Sequence, residues 1–139
     1  IDGMMREITI SEDEPFVLHP GQFALALILE KTGFSESYVG RLEGKSSIGR
    51  MGLLVHVTAG FIDPGNNLQA TLELHNTAEL PVLLYYKMPI AQMAFEKISS
   101  ATETPYGSNP KLNSKYDGDS KPGASQMYKN FDPEGGEWK

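Results

Sequence analysis

The sequence contains no cysteine. That absence removes disulfides, thiolate nucleophiles and thiolate-bound metals together. Zinc-dependent nucleobase deaminases combine a His-x-Glu with Pro-Cys-x-x-Cys, so that route is excluded and no zinc is expected. Histidine is scarce as well: His19, His56 and His75 are the only three, and they do not stand at metal-ligand spacing. His56, in a Val-rich run, reads as a hydrogen-bonded core residue. No strand–Gly-x-Ser-x-Gly–helix context appears, which leaves a Ser-His-Asp hydrolase poorly supported. Long apolar runs are missing too. Gly, Pro or a charge interrupts each candidate within about ten residues, too short for a bilayer, and no secretory signal is visible. A cytoplasmic protein without a membrane partner is expected. Basic charge is in deficit, 12 Lys and Arg against 18 Asp and Glu, giving a net charge of −6. This argues against a nucleic-acid partner, whose phosphates demand a basic face. A small anionic ligand needs only a local cluster of Arg, Lys and N–H donors. Ile1 stands where an initiator Met is expected, so part of the N-terminal region is expected to be missing.

What is present suits a single all-β domain. The chain has 139 residues, 40% of them apolar, enough for one core without staples. Strand, turn and strand are expected at 16–18, 19–21 and 23–29, with further strands at 38–42 and 53–58. In 68–75, Leu68, Ala70, Leu72 and Leu74 share one face, and Gln69, Thr71, Glu73 and His75 the other. Segments 81–86 and 90–98 read as a hairpin around Lys87-Met88-Pro89. A helical turn is expected at 46–51. Short strands at this spacing suggest a sandwich or barrel. From 99 to 139 the chain turns rich in Ser, Gly, Pro, Asn and Lys. Composition leaves two readings there: a disordered tail, or an arm that orders over a ligand or a neighbouring subunit.

Three segments could carry chemistry. Gly44-Lys45-Ser46-Ser47-Ile48-Gly49-Arg50 combines a free backbone, two hydroxyls and two cations, the makings of an anion pocket. Taken alone it is also a plain Ser-rich turn with solvated cations, and its spacing is not that of a P-loop. Asp63-Pro64-Gly65 could present a carboxylate to a sugar hydroxyl, or could be an ordinary Asx turn. Glu73, mid-strand between leucines, is either a solvated-face carboxylate or one turned into a cleft and able to take a proton from water. Arg50 could hold it in place.

Together the pieces resemble the dCTP deaminase family, within the trimeric dUTPase-like fold. The carrying runs are Arg41 through Arg50, Gly52-Leu53-Leu54-Val55-His56-Val57-Thr58-Ala59-Gly60-Phe61-Ile62-Asp63-Pro64-Gly65, and Thr71-Leu72-Glu73-Leu74. Pro105-Tyr106-Gly107, Ser114-Lys115-Tyr116 and Tyr128-Lys129-Asn130-Phe131 follow, so the resemblance spans 15–131. It implies a distorted β-barrel or jelly-roll over 1–98 and a C-terminal arm over 99–139 that closes on the nucleotide site. It implies a homotrimer with sites between subunits and dCTP or dUTP as ligand. Magnesium is implied only as Mg²⁺ bound through the substrate triphosphate.

The resemblance also assigns residues. Glu73 matches the general base, which takes a proton from water and passes it toward the leaving ammonia. Ser46 and Arg50 match residues that position the water and Glu73. Lys45, Ser46, Ser47, Ile48, Gly49 and Arg50 fall in the phosphate-binding segment. Asp63 matches the deoxyribose partner, Thr71 and Leu72 present backbone near the base, and Tyr106 and Lys115 match arm contacts to the nucleotide. Gln92, Gly49 and the closing Tyr-Lys-Asn-Phe are closer to the branch that also cleaves the triphosphate, giving dUMP and pyrophosphate. Two departures stand out. Asn66-Asn67-Leu68 replaces an aromatic, a small residue and Gly, and Asp119 replaces a phosphate-contacting Gln. A dUTPase that cleaves only dUTP is the alternative that Glu73 speaks against, since that branch places no Glu in this strand. A non-catalytic regulatory trimer is the alternative that the two departures favour.

Overall fold

The computed structural model describes residues 4–112, 114–132 and 137–138. In chain order the elements are β1 Phe16–Leu18, β2 Phe23–Leu27, β3 Thr32–Gly33, β4 Tyr38–Gly44, α1 Ser46–Gly49, β5 Leu53–Leu54 and β6 Phe61–Ile62. Then come β7 Asn67–Leu68, β8 Thr71–Asn76, β9 Val82–Leu84, β10 Ala91–Lys97, β11 Phe131–Asp132 and β12 Glu137–Trp138. The all-β expectation holds, but the ladders do not close into a barrel. Antiparallel pairing gives five small sheets: β2-β8-β5, β10-β4-β6, β1-β9, β3-β7 and β11-β12. Closure requires a continuous staggered ladder, and four of the central strands are only two residues long, cut short by glycine and proline turns.

The alternation expected in 68–75 is the organising feature. Ala70, Leu72 and Leu74 are buried, and Gln69, Thr71, Glu73 and His75 are half-buried. The second face is therefore a covered surface with polar side chains, not an open one. Leu72 and Leu74 join Leu18, Leu42, Ile48, Leu53, Val55, Val82 and Leu84 in one core cluster. Non-directional burial of this kind supplies most of the stabilisation of the sheet stack.

Two expectations about strands need correction. Segments 81–86 and 90–98 do not pair as a hairpin. β9 pairs with β1 (Val17 opposite Leu83), and β10 runs the length of β4 (Ala91 opposite Gly44, Lys97 opposite Tyr38). Val82 and Leu84 bury against the Leu18 side of the core, and Pro89 has no N–H with which to continue a ladder. The strand expected over 53–58 stops at Leu54, and further along the Val57 and Thr58 N–H groups bond a side chain described below. The segment beyond β10 is tied to the sheets by backbone bonds from Thr102 N–H to Glu36 (2.9 Å), Tyr106 N–H to Pro64 (2.8 Å) and Gln69 N–H to Asp119 (2.9 Å). No helix among the described residues is long and apolar enough to cross a membrane.

One buried polar residue fixes how β8 ends. Asn76 is fully buried. Its amide donates to the carbonyls of Leu18 and Leu80, both at 2.9 Å, and its side-chain oxygen accepts the Ala78 N–H at 2.9 Å. An Asn76→Ala change strands the buried Leu18 carbonyl and unties two part-buried partners, at a cost of about 2–4 kcal/mol. Urea denaturation should show a lower midpoint with an unchanged slope.

Candidate functional site

Glu73 lies in the middle of β8, opposite Leu25 of β2. One carboxylate oxygen, Oε2, accepts the Val57 N–H at 3.0 Å and the Thr58 N–H at 3.1 Å. Those are the donors that leave the β5 path after Leu54. Oε1 carries no hydrogen bond among the described residues, so one oxygen is anchored and the other is open to a ligand or to water. Sequence reasoning missed Val57 and Thr58, since the groups they contribute are backbone amides, which leave no side-chain signal. Arg50 does not hold Glu73 within this chain. Its side chain is exposed and makes no ion pair; the ion pairs among the described residues are Arg41–Glu96 and Lys87–Glu12. Arg50 lies just past α1, where its N–H bonds the Ser46 carbonyl at 3.0 Å.

The loop behind Glu73 is tightly packed. Gly60 is buried, and a Cβ there would lie 2.7 Å from the Leu42 carbonyl oxygen and 3.1 Å from the His56 ring. His56 is not the hydrogen-bonded core residue expected: its Nδ1 is buried without a partner among the described residues.

Lys45, Ser46, Ser47 and Arg50 surround α1. Ile48 is buried and pins the turn to the core, while Ser46, Ser47, Gly49 and Arg50 are exposed and Lys45 is half-buried. The serines do not cap the turn; Lys45 is the N-cap and makes no side-chain cap bond. Both hydroxyls and both cations are left without hydrogen bonds or ion pairs among the described residues. Gln92 comes to the same place, opposite Glu43, with its amide donating to the Gly44 carbonyl at 3.2 Å.

A second group forms around the turn at 63–66. Pro64 and Gly65 occupy its central positions, Gly65 has φ 84°, and the Asn66 N–H closes onto the Asp63 carbonyl at 3.2 Å. That is type II geometry, which needs glycine at the third position. The turn is made by backbone, so the exposed Asp63 carboxylate is not consumed in an Asx turn. Asn66 is buried with its Oδ1 unpartnered, and Asn67 and Leu68 pair with Thr32 and Gly33. The Tyr106 phenol is pushed above its ordinary range by burial, eased by the hydrogen bond from the Tyr116 backbone, and raised again by Asp63, Asp117 and Asp119. Asp63, Tyr106 and Asp119 are therefore neighbours, as is Asp117, which the sequence did not single out. Asp119 docks through its carbonyl on Gln69. An open groove of about 720 Å³ runs between Phe34, Ser37, Pro105, Tyr106 and Asp117; Glu73 is not among its lining residues. Thr71 is half-buried, opposite Leu27 of β2, and Leu72 points into the core.

The dCTP deaminase-like family model matches residues 2–98. The chain belongs to the dCTP deaminase-like family. It is 50% identical over 133 residues to the dCTP deaminase, dUMP-forming, of Corynebacterium efficiens, covering 96% of this chain and 68% of that protein. It is 54% identical over 130 residues to the protein of the same name from Rhodococcus opacus (strain B4), covering 94% and 68%. Among solved structures, native EIAV dUTPase superposes with a TM-score of 0.53 over 69% of this chain and 78% of that one, at 19% identity. At that identity the likeness speaks for a dUTPase-like fold alone. In this dCTP deaminase-like chain, the runs that carried the resemblance thus lie at Glu73 with the Val57 and Thr58 amides, at the exposed α1 turn, and around the 63–66 turn.

The Tyr106 environment has a pH consequence. A phenol whose pKa is raised by folding keeps its proton longer in the folded chain. Its contribution to stability is complete below the ordinary phenol pKa and is lost as pH climbs through the raised value. Spectrophotometric titration of phenolate absorbance should show a late-ionising tyrosine that Tyr106→Phe removes, and the variant should lose stability less steeply at alkaline pH. A Gly65→Ala change meets both φ 84° and a Pro105 Cβ 2.4 Å from the new methyl. It should loosen the 105–106 contact, read as faster amide exchange at Tyr106.

Proposed function

We propose that this chain is a cytoplasmic enzyme that deaminates dCTP hydrolytically at C4 and cleaves the triphosphate, yielding dUMP, ammonia and pyrophosphate. The observation that carries the reading is the Glu73 carboxylate, fixed through Oε2 by two backbone N–H groups with Oε1 unbonded. A base used on water must be both oriented and open at one oxygen. The names of its relatives, dCTP deaminase, dUMP-forming, support the same substrate and products.

In this reading Oε1 of Glu73 takes a proton from water as the water oxygen bonds to C4. The tetrahedral intermediate then breaks its C4–N4 bond, and the proton held by Glu73 goes to the departing ammonia. A second water attacks the α-phosphorus and releases pyrophosphate. Ser46 and Arg50 position water and substrate, and Lys45, Ser46, Ser47 and Gly49 supply donors to phosphate while Ile48 anchors their turn. Asp63 accepts from the deoxyribose hydroxyl, Thr71 and Leu72 present backbone to the base, and Gln92, Tyr106 and Lys115 complete the nucleotide contacts. Asp119 contributes by docking the arm through its backbone on Gln69. Among the described residues no group of His, Asp and Glu has the arrangement of a metal site, and the free donors are cations and hydroxyls. Mg²⁺ would instead come bound to the triphosphate, where it would offset phosphate charge near Asp119. A homotrimer would bring a neighbour's residues over Glu73, and the exposed Leu54 and Val57 beside it suit such a contact.

Incubation with dCTP and magnesium should release ammonia and pyrophosphate in equal amounts, with dUMP as the nucleotide. Ammonia without pyrophosphate would stop the reaction at dUTP, and no ammonia from a trimeric preparation would overturn the reading. A Glu73→Gln variant should bind dCTP while deamination falls by about 10²–10⁴-fold, measured as ammonia release.

A further inference from the structure

Lys115 sits between two ties to the same dipeptide. On one side, the Ser114 hydroxyl accepts the Gly107 N–H at 3.0 Å. On the other, the Tyr116 N–H donates to the Tyr106 hydroxyl at 3.2 Å. Gly107 permits the arrangement. Its φ of 78° lies in the left-handed region, and a Cβ there would fall 2.2 Å from a carboxylate oxygen of Asp117. The 105–108 turn is closed by Ser108, whose N–H and hydroxyl both bond the Pro105 carbonyl, at 3.0 and 2.6 Å. The Tyr106 N–H in turn bonds the Pro64 carbonyl at 2.8 Å. A continuous series of hydrogen bonds therefore runs from the 63–66 turn to the backbone on both sides of Lys115.

The Lys115 side chain is half-buried and makes no hydrogen bond or ion pair among the described residues, although Asp117 and Asp119 lie close in the chain. A cation held at both neighbours and left unpaired is set out for an incoming anion. Ordering its backbone in advance lowers the conformational cost of binding.

We propose that the Ser114 hydroxyl, the Tyr106 hydroxyl and Gly107 form a clamp that presents Lys115 to the substrate triphosphate. This rests on the nucleotide-site reading above and adds positioning residues to it. Ser114 and Gly107 act through Lys115 and touch no substrate themselves.

The test uses the full chain in the Glu73→Gln background, where calorimetry reads dCTP binding without turnover, and the otherwise native enzyme for kinetics. Ser114→Ala should weaken dCTP binding and raise KM by about three- to tenfold, the effect of one hydrogen bond, with kcat nearly unchanged. Binding of deoxycytidine, which has no phosphate, should not change. Ser114→Thr keeps the acceptor and should restore the native KM, separating the clamp from a folding defect. In a Lys115→Ala background, Ser114→Ala should add nothing further. If Lys115→Ala leaves dCTP binding intact, the nucleotide role of Lys115 falls and the clamp with it. If Lys115→Ala weakens binding but Ser114→Ala is silent, or acts equally in both backgrounds, the clamp alone is overturned. Gly107→Ala should reproduce the Ser114→Ala phenotype; a native KM in that variant counts against the clamp.

Discussion

Two backbone N–H groups on one carboxylate oxygen hold the candidate site together. Beyond the end of β5 at Leu54, Val57 and Thr58 give their donors to Glu73 instead of to a neighbouring strand. That bonding sets the loop that carries His56 and Gly60, and leaves the other Glu73 oxygen open. The rest of the molecule makes this bond pair possible. β8 is gripped on both edges, by β2 and β5, its inner side chains are locked in the core, and Asn76 fixes its end. A mid-strand carboxylate held this firmly loses little orientation when water or substrate arrives, which is what a preorganised site requires.

The charge of the chain poses a second constraint. A molecule of net charge −6 must collect its positive groups locally to hold a triphosphate. In the proposed reading it would do so with cations left unpaired. Among the described residues Lys45, Arg50 and Lys115 form no internal ion pairs, and the two ion pairs join Arg41 to Glu96 and Lys87 to Glu12. Asp63, Asp117 and Asp119 gather instead around Tyr106. Asp119, where the resemblance implies a Gln, thus falls where its backbone docks on Gln69 and its carboxylate is one of three near Tyr106.

Much of the site could be read in the sequence where a side chain announced itself. The alternation of Leu72 and Leu74 with Thr71 and Glu73 fixed which face each would take, since the pleat has a period of two. Asp63-Pro64-Gly65 fixed a turn with glycine in the left-handed position. Ser46, Ser47 and Gly49 marked an exposed turn pinned by Ile48. Other features had no such signature. Val57 and Thr58 act through amides common to every residue. Ser114 and Asp117 are ordinary polar residues in a Ser- and Asp-rich stretch until Gly107 is seen beside them.

The sequence by itself determined an all-β chain without cysteine, the inward and outward faces of β8, and the membership that Glu73 and residues 41–50 spell out. The tertiary structure decided the pairings that local pattern cannot encode. β9 goes to β1, where buried Val82 and Leu84 share the core with Leu18 more than sixty positions away, and β10 goes to β4. It also decided that Glu73 is held by backbone rather than by Arg50. Which donors reach a carboxylate depends on where a neighbouring strand stops, and only the packed fold sets that end.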